Sequence, residues 1–504
     1  MFYLLHEVFL RASTLTKVPV DQVRFIFCML LCIPLGAVYR AVLHPKRVSP
    51  QLRLVVSLVW GLLIGWICFA SELIILIVVS TLCYGLTWSV NPKEVHKVVF
   101  VVSFSLLLVA QIARMIMEYG DNKFDYTGRL MIITQKVTYL AFSVHDGLGR
   151  KEDELTKDQK EQSIKRVPSL LEYFGYTFHH SMLLAGPACT FSDYIDFIEG
   201  RDIARATEQK MRQEPSPVNA VLTKLSFSLL CMVLFAFLSK ILPFYLNADP
   251  YFIANSSFLW RIAFVSLSMM VVRLKFYFAW TVADAGNNAC GLGFNGYDSN
   301  GRELWNRITN VNALEVEKAT SIRHMVNNWN IQTNIWLKRL IYERVPYQKT
   351  FFTLAASCIW HGIYPGYLLT VTSAGMLMVV SKKARRTYGH VFRDMSPIKT
   401  RLFDFLLWLV CNAFLITYCF VSFVFLRLDL AFTFYRSTYF IGHILLIGGL
   451  IIFSVERPKP SHEAKNADVS VTSQHSSKPE IHTNVPLPSA ANNNALHRDN
   501  RKLK

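Results

Sequence analysis

His361 lies in the middle of the long apolar run Phe351–Val380, within Trp360-His361-Gly362-Ile363-Tyr364-Pro365-Gly366-Tyr367. A histidine is costly in hydrocarbon, so at that depth it marks either a functional site or a bond to a neighbouring helix. The Gly, Pro and Gly behind it predict irregular backbone. Such backbone is tolerated at membrane depth only where protein or water surrounds it, so His361 is expected to line a cavity or tunnel. A second polar constellation precedes it: Glu317, then Asn327-Asn328-Trp329-Asn330-Ile331-Gln332-Thr333-Asn334-Ile335-Trp336-Leu337-Lys338-Arg339. As one helix, Trp329, Thr333 and Trp336 share a face at i, i+4 and i+7, with Asn330 and Asn334 on the adjacent strip. Amides beside two tryptophans suit neither water nor lipid. They predict a helix packed inside protein, either for catalysis or as structural amides bonded across helices.

The elements that carry these residues follow from composition. The chain has 504 residues, of which 52% are hydrophobic and 17% charged. That is too little charge to cover a soluble protein of this length, and it excludes disordered, fibrous and ordinary cytosolic classes. The reading is an all-α polytopic membrane protein. Ten runs approach the length of a span: Val23–Leu43, Leu52–Phe69, Leu73–Trp88, Val98–Ile116, Leu170–Ala188, Leu222–Leu246, Phe258–Trp280, Phe351–Val380, Leu402–Leu426 and Tyr439–Ser454. The expected division is an N-terminal segment 1–17, a membrane domain 18–458 and a polar tail 459–504. The tail has too few large apolar residues to order itself.

The net charge of +18 suggests basic loops held at the cytosolic side rather than nucleic-acid binding. Lys382-Lys383-Ala384-Arg385-Arg386 and the tail are both basic and two spans apart, so both are expected to be cytosolic. The ending Arg501-Lys502-Leu503-Lys504 resembles a dilysine-type endoplasmic reticulum retrieval signal; a generic basic end reads the same way. The ten cysteines contain no CxxC pair, so neither a zinc nor a thioredoxin-like site is indicated. His179-His180 and His145-Asp146 have no third ligand at a useful spacing; no metal or cofactor is expected.

Trp360-His361-Gly362-x-x-x-Gly366-Tyr367 resembles the signature of the membrane-bound O-acyltransferases. Glu317-x11-Trp329-Asn330-x2-Thr333-x2-Trp336 resembles the second signature of that family's lysophospholipid branch. Tyr418-x4-Phe423 and Tyr435-x3-Tyr439-Phe440-x2-His443 resemble two further ones. Lys275–Asn288 with Gly291–Gly296, Leu184-Ala185-Gly186-Pro187, Asp193–Gly200 and Val144–Arg150 are similar to the type one and two members. The likeness runs from about Val18 to about Pro458, and four motifs in order are highly specific. Two positions depart from the pattern: Asn306 follows Trp305 where the family has Asp, and Val371 replaces a Phe.

The resemblance implies about ten transmembrane helices around an internal tunnel. It also implies acyl transfer from acyl-CoA, a co-substrate, to the free hydroxyl of a lysophospholipid bearing ethanolamine, serine or choline. His361 and Asn330 would be the catalytic pair. An alcohol is a weak nucleophile, and an imidazole with a pKa near ~6.5 is a natural base for its proton. Whether Asn330 holds substrate or stabilises an oxyanion stays open. Trp329, Thr333, Trp336, Trp360, Tyr367 and His443 are candidate substrate contacts; Lys338, Arg339 and Arg344 are candidates for the phosphates of CoA or ordinary membrane anchors. Ser357 and Cys358 lie close enough in sequence to His361 to suggest an acyl-enzyme, but no acid is placed to complete a triad. Acylation of a protein, peptide or sterol, or a non-catalytic transporter or scaffold, are the rival readings. The expected location is the endoplasmic reticulum membrane, among membrane lipids.

Overall fold

The computed structural model describes residues 2–120, 125–210, 214–388 and 396–453. The tail 459–504 and its basic ending lie outside the described residues. Everything below concerns the unit Met1–Ile451. Its regular elements are helices, and its only β-pairing among the described residues is two isolated bridges.

The first group of helices is α1 (Phe2–Thr16), α2 (Val20–Val42), α3 (Pro50–Phe69), α4 (Leu73–Ser89), α5 (Val95–Met117) and α6 (Thr127–Val144). Short elements follow: α7 (Lys157–Gln162), α8 (Leu170–Thr177), α9 (Phe191–Glu199) and α10 (Arg201–Lys210). Next come α11 (Val218–Ile241), α12 (Pro250–Asn255) and the 33-residue α13 (Phe258–Cys290). The site region contains α14 (Ala313–Glu317), α15 (Ile322–Asn328), α16 (Ile331–Leu337), α17 (Lys349–His361) and α18 (Pro365–Tyr388). The chain then runs through α19 (Pro397–Leu407), π-helical turns at Trp408–Ile416, α20 (Thr417–Phe425), α21 (Leu428–Ser437) and α22 (Ile441–Ile452).

Among the described residues six helical units are long and apolar enough to cross a membrane, with α3 and α4 taken together as the 40-residue unit Pro50–Ser89, or seven if the bent pair α21–α22 counts as one span. The difference from ten apolar runs has local causes. Leu170–Ala188 yields only the eight-residue α8, about 12 Å long and too short to cross. The following stretch, Phe178–Thr190, is almost entirely buried yet irregular. Its backbone is satisfied by protein, as irregular chain at this depth must be. Lys136, itself fully buried, donates from Nζ to the carbonyls of Tyr176 and Thr177, both at 3.0 Å. It thereby caps the end of α8 with a cation, where the helix dipole favours one. Phe351–Val380 is split at Gly362–Tyr364 into α17 and α18, and Tyr439–Ser454 gives a 12-residue α22 bent 80° from α21.

Small residues set the helix spacing. Gly36 of α2 faces Gly286 of α13: a Cβ on Gly36 would sit 2.9 Å from the Gly286 carbonyl oxygen. That close approach is the usual way membrane helices gain packing area. At Gly61 of α3 an added Cβ would lie 1.7 Å from the Phe178 carbonyl oxygen, so the buried irregular segment fits only because Gly61 has no side chain. Gly61→Ala is expected to cost at least about 1–3 kcal/mol by overpacking, read as a lower thermal midpoint in detergent. An unchanged midpoint would contradict this packing.

Candidate active site

His361 and Asn330 each sit where a helix is interrupted. α17 ends at His361, and Gly362 follows with φ +113°, a conformation that favours glycine. Gly366, in the first turn of α18, is pressed against α20: a Cβ there would lie 2.2 Å from the Ser422 carbonyl oxygen. Its N–H donates to the Leu426 carbonyl at 3.1 Å. Thr370 Oγ1, one turn on, bonds the Gly366 carbonyl and Ser422 Oγ. The glycines of the histidine motif are therefore a turn and a close approach, and both re-aim the chain immediately after His361.

Trp360 anchors this turn on the far side. Its indole N–H donates to the Met131 carbonyl at 3.0 Å, and its own carbonyl accepts from Gln111 Nε2 at 2.8 Å. His361 is half-buried and walled by rings: Trp360 at 4.7 Å, Phe423 at 5.4 Å and Tyr367 at 5.9 Å between centroids. Among the described residues its ring nitrogens have no hydrogen-bond partner. No carboxylate orients the imidazole; aromatic edges do, and both nitrogens are left available. Ser357 and Cys358 make no bond to it.

The asparagine motif departs from a continuous helix. Trp329 is extended, and Asn330 is left-handed at φ +50°, ψ +49°, with α16 starting only at Ile331. Trp329 therefore leaves the face it would share with Thr333 and Trp336. Asparagine tolerates this conformation better than most residues. A strap that pairs antiparallel with the same stretch holds it there. Val311 bridges Trp329, the Asn328 carbonyl accepts from the Asn312 N–H at 3.0 Å, and the Asn310 carbonyl accepts from the Ile331 N–H at 2.8 Å. Side chains reinforce the strap: Asn310 Oδ1 accepts from the Gln332 N–H at 3.0 Å, and Asn310 Nδ2 donates to Asn330 Oδ1 at 3.1 Å.

The other motif residues divide by contact. Trp329 packs against Phe276, Tyr277 and Trp280 of α13. Thr333 Oγ1 accepts from Gln135 Nε2 at 2.7 Å. Trp336 is fully buried between Phe104 and Trp360, and its N–H donates to Thr138 Oγ1 at 3.0 Å. Thr333, Trp336 and Trp360 thus tie α16 and the histidine turn to one helix, α6. Glu317, which opens the motif, takes a two-bond grip on Arg273 at 2.7 and 2.6 Å and accepts from the Tyr277 hydroxyl. His443 is bonded at both ring nitrogens, to Tyr418 Oη at 3.3 Å and Ser373 Oγ at 3.1 Å. Tyr367 packs on Phe423. The departing Asn306 is exposed and accepts from Asn295 Nδ2 at 2.9 Å.

The basic trio is already partnered. Arg344 grips Asp146 at 2.9 and 2.5 Å, Arg339 meets Asp158 at 2.6 Å, and exposed Lys338 lies 3.4 Å from Glu343. The cleft beside the two arginines is about 20 Å³, room for about one water. A larger cleft of about 500 Å³ opens elsewhere, between the ends of α2, α11 and α13. Its rim carries Arg40, His44, Lys46, Arg47 and Glu214 over a floor that includes Ile33, Val221 and Leu222. In the sequence these basic residues look like any anchor at the end of a span. Asn310 was equally hidden, because its role depends on a partner 20 residues away.

The membrane-bound O-acyltransferase family pattern matches residues 62–426. The chain is 38% identical over 460 residues to chicken (Gallus gallus) membrane-bound glycerophospholipid O-acyltransferase 2, covering 90% of this chain and 88% of that protein. It is 36% identical over 456 residues to the human (Homo sapiens) type 1 protein, covering 89% and 92%. A lysophospholipid acyltransferase of Schizosaccharomyces pombe is 29% identical over 471 residues, covering 90% of each chain.

Arg344→Ala would leave Asp146, which is almost wholly buried, with only Arg150 at 3.3 Å. Breaking such a pair costs about 3–5 kcal/mol, so a fall in thermal midpoint is expected, with the KM for acyl-CoA unchanged in the protein that remains folded. A raised KM at an unchanged midpoint would instead put Arg344 on a phosphate.

Proposed function

The chain belongs to the membrane-bound O-acyltransferase family, and from that premise we infer that it is an acyl-CoA-dependent lysophospholipid O-acyltransferase of phospholipid remodelling. The observation that carries this is the coverage of the likeness: nine tenths of the chain aligns with glycerophospholipid and lysophospholipid acyltransferases, and the stretch includes both helix breaks that present His361 and Asn330.

In the reaction we propose, a ring nitrogen of His361 takes the proton from the lysophospholipid hydroxyl as its oxygen attacks the thioester carbonyl. The O–H bond breaks and the new C–O ester bond forms. The C–S bond then breaks, and the departing thiolate of CoA takes the proton back from the imidazolium. His361 acts as general base and then general acid. The free ring nitrogens and the ring walls, which restrict water around the imidazole, support that role. Asn330 supplies the second polar group, through its carboxamide. Tyr367 and Trp360 wall the histidine side of the site and Trp329 the α13 side. Thr333, Trp336 and His443 act through the positions of their neighbours. For the phosphates of CoA we favour Lys338, whose exposed ion pair is weak and readily exchanged; Arg339 and Arg344 would have to release carboxylates.

Acyl-CoA enters from the cytosol, and the two substrates meet at His361 in a tunnel through the helices. About ten membrane-embedded elements, counting broken and re-entrant ones, is our reading of the topology. The location we propose is the endoplasmic reticulum, with the tail cytosolic: the basic end of α18 and the tail are separated by the Ile398–Phe425 span and the bent α21–α22 pair, which returns the chain to the basic side. An epitope placed after Lys504 should bind antibody when only the plasma membrane is permeabilised; binding only after the internal membranes are opened would reverse this orientation. Ethanolamine, serine and choline lysophospholipids are the proposed acceptors.

Membranes containing the protein should incorporate labelled oleoyl chains from oleoyl-CoA into at least one of these lysolipids. His361→Ala should abolish incorporation, while Ser357→Ala and Cys358→Ala retain most of it. Wild-type turnover by His361→Ala would sink the assignment of the base, and loss of activity in Ser357→Ala or Cys358→Ala alone would point to an acyl-enzyme.

A further inference from the structure

The strap opposite Asn330 contains a chain of hydrogen bonds whose direction is fixed at one end. The N–H of Gln332 is a backbone group and can only donate. It donates to the side chain of Asn310 at 3.0 Å, so the Asn310 atom that receives it is Oδ1. The other end of that carboxamide is then Nδ2, a donor, and it meets the Asn330 side chain at 3.1 Å. The Asn330 atom facing it must be the acceptor, Oδ1. Asparagine oxygen and nitrogen are otherwise interchangeable in shape; here an unambiguous backbone donor sets both.

Asn310 is nearly sealed, with 4% of its surface exposed. Its backbone carbonyl also holds the Ile331 N–H at 2.8 Å. Three bonds to residues 330, 331 and 332 leave it little freedom to turn. Gln332 locks the strap from the other side, its Nε2 donating to the carbonyls of Arg307 at 2.9 Å and Thr309 at 3.2 Å. Asn330 itself is only half-buried, and its Nδ2 has no partner among the described residues.

We propose that Asn310 is the positioning residue of this enzyme: it fixes the Asn330 carboxamide with oxygen turned away and nitrogen presented, so that Asn330 acts as a hydrogen-bond donor to the thioester oxygen of acyl-CoA. This deepens the acyltransfer reading and rests on it. As the lysolipid oxygen attacks, negative charge gathers on the thioester oxygen. A fixed N–H aimed there strengthens its bond as the charge grows and needs no reorganisation. An amide held in the opposite sense would instead accept from the attacking hydroxyl.

The two senses give opposite results for an isosteric change. Asn330→Asp keeps an oxygen for Asn310 Nδ2, so the strap survives, but an ionised carboxylate has no proton to give. Assayed above neutral pH, where an ordinary aspartate is ionised, it should lose about 100-fold or more in kcat, as much as Asn330→Ala, with little change in KM for the lysolipid. Asn310→Asp still accepts from the Gln332 N–H, but it now offers a second oxygen to Asn330. The amide must turn over to donate to it, and a fall in kcat without a matching rise in KM is expected while the thermal midpoint stays near that of the wild type.

Turnover by Asn330→Asp within about threefold of wild type would overturn the donor assignment, and does so whether or not Asn310→Asp folds. A folded Asn310→Asp with wild-type kcat would overturn the positioning role. An inactive wild type, with no acyl transfer to any lysolipid, would sink the acyltransfer reading and this inference with it; an active wild type beside an active Asn330→Asp sinks only the orientation.

Discussion

A polar side chain can be presented among apolar helices only where the backbone is interrupted, and every interruption frees N–H and C=O groups that lipid cannot satisfy. That constraint organises this protein. His361 ends one helix and Asn330 precedes another. Around each, neighbouring polar groups repair the break: the Gln111 side chain on the Trp360 carbonyl, the Asn310 backbone carbonyl on the Ile331 N–H and its side chain on the Gln332 N–H. Lys136 does the same for the end of α8. Among the described residues the His361 ring nitrogens and Asn330 Nδ2 stay unpaired, while Asn330 Oδ1 is held by Asn310.

α6 is the common support. Met131, Gln135 and Thr138 of one helix hold Trp360, Thr333 and Trp336 respectively. Residues from both signature motifs therefore share a reference frame, though they are distant in sequence. The tryptophans conspicuous as possible substrate contacts are first of all wedges, packed 5.7 Å apart. On the other flank the Glu317–Arg273–Tyr277 cluster ties the start of the asparagine motif to α13. A shift of either element would move Asn330 or His361, and misplacement of this kind by an ångström is enough to slow a positioned reaction.

Much of this was legible in the residues. The Gly-x-x-x-Gly spacing after His361 announces a break, and the break is there, because a positive φ at Gly362 and a backbone approach at Gly366 each exclude a Cβ. Hydropathy alone overcounted straight spans, because an apolar run reads the same whether it faces lipid or fills protein. Leu170–Ala188 is the plain case, its second half irregular and enclosed. The helix expected through Trp329–Trp336 failed at Asn330 because local periodicity carries no trace of the strap at 307–312. A left-handed residue held by nonlocal bonds cannot be seen in spacing, and neither can the orientation of its amide.

The central claim is a single transfer step in which both substrates are bound together, with His361 moving the proton and no acyl group resting on the protein. Initial rates measured over a grid of acyl-CoA and lysophospholipid concentrations test it most directly. The account predicts double-reciprocal lines that intersect, the mark of a ternary complex; parallel lines, the mark of an acyl-enzyme formed before the acceptor binds, would contradict it.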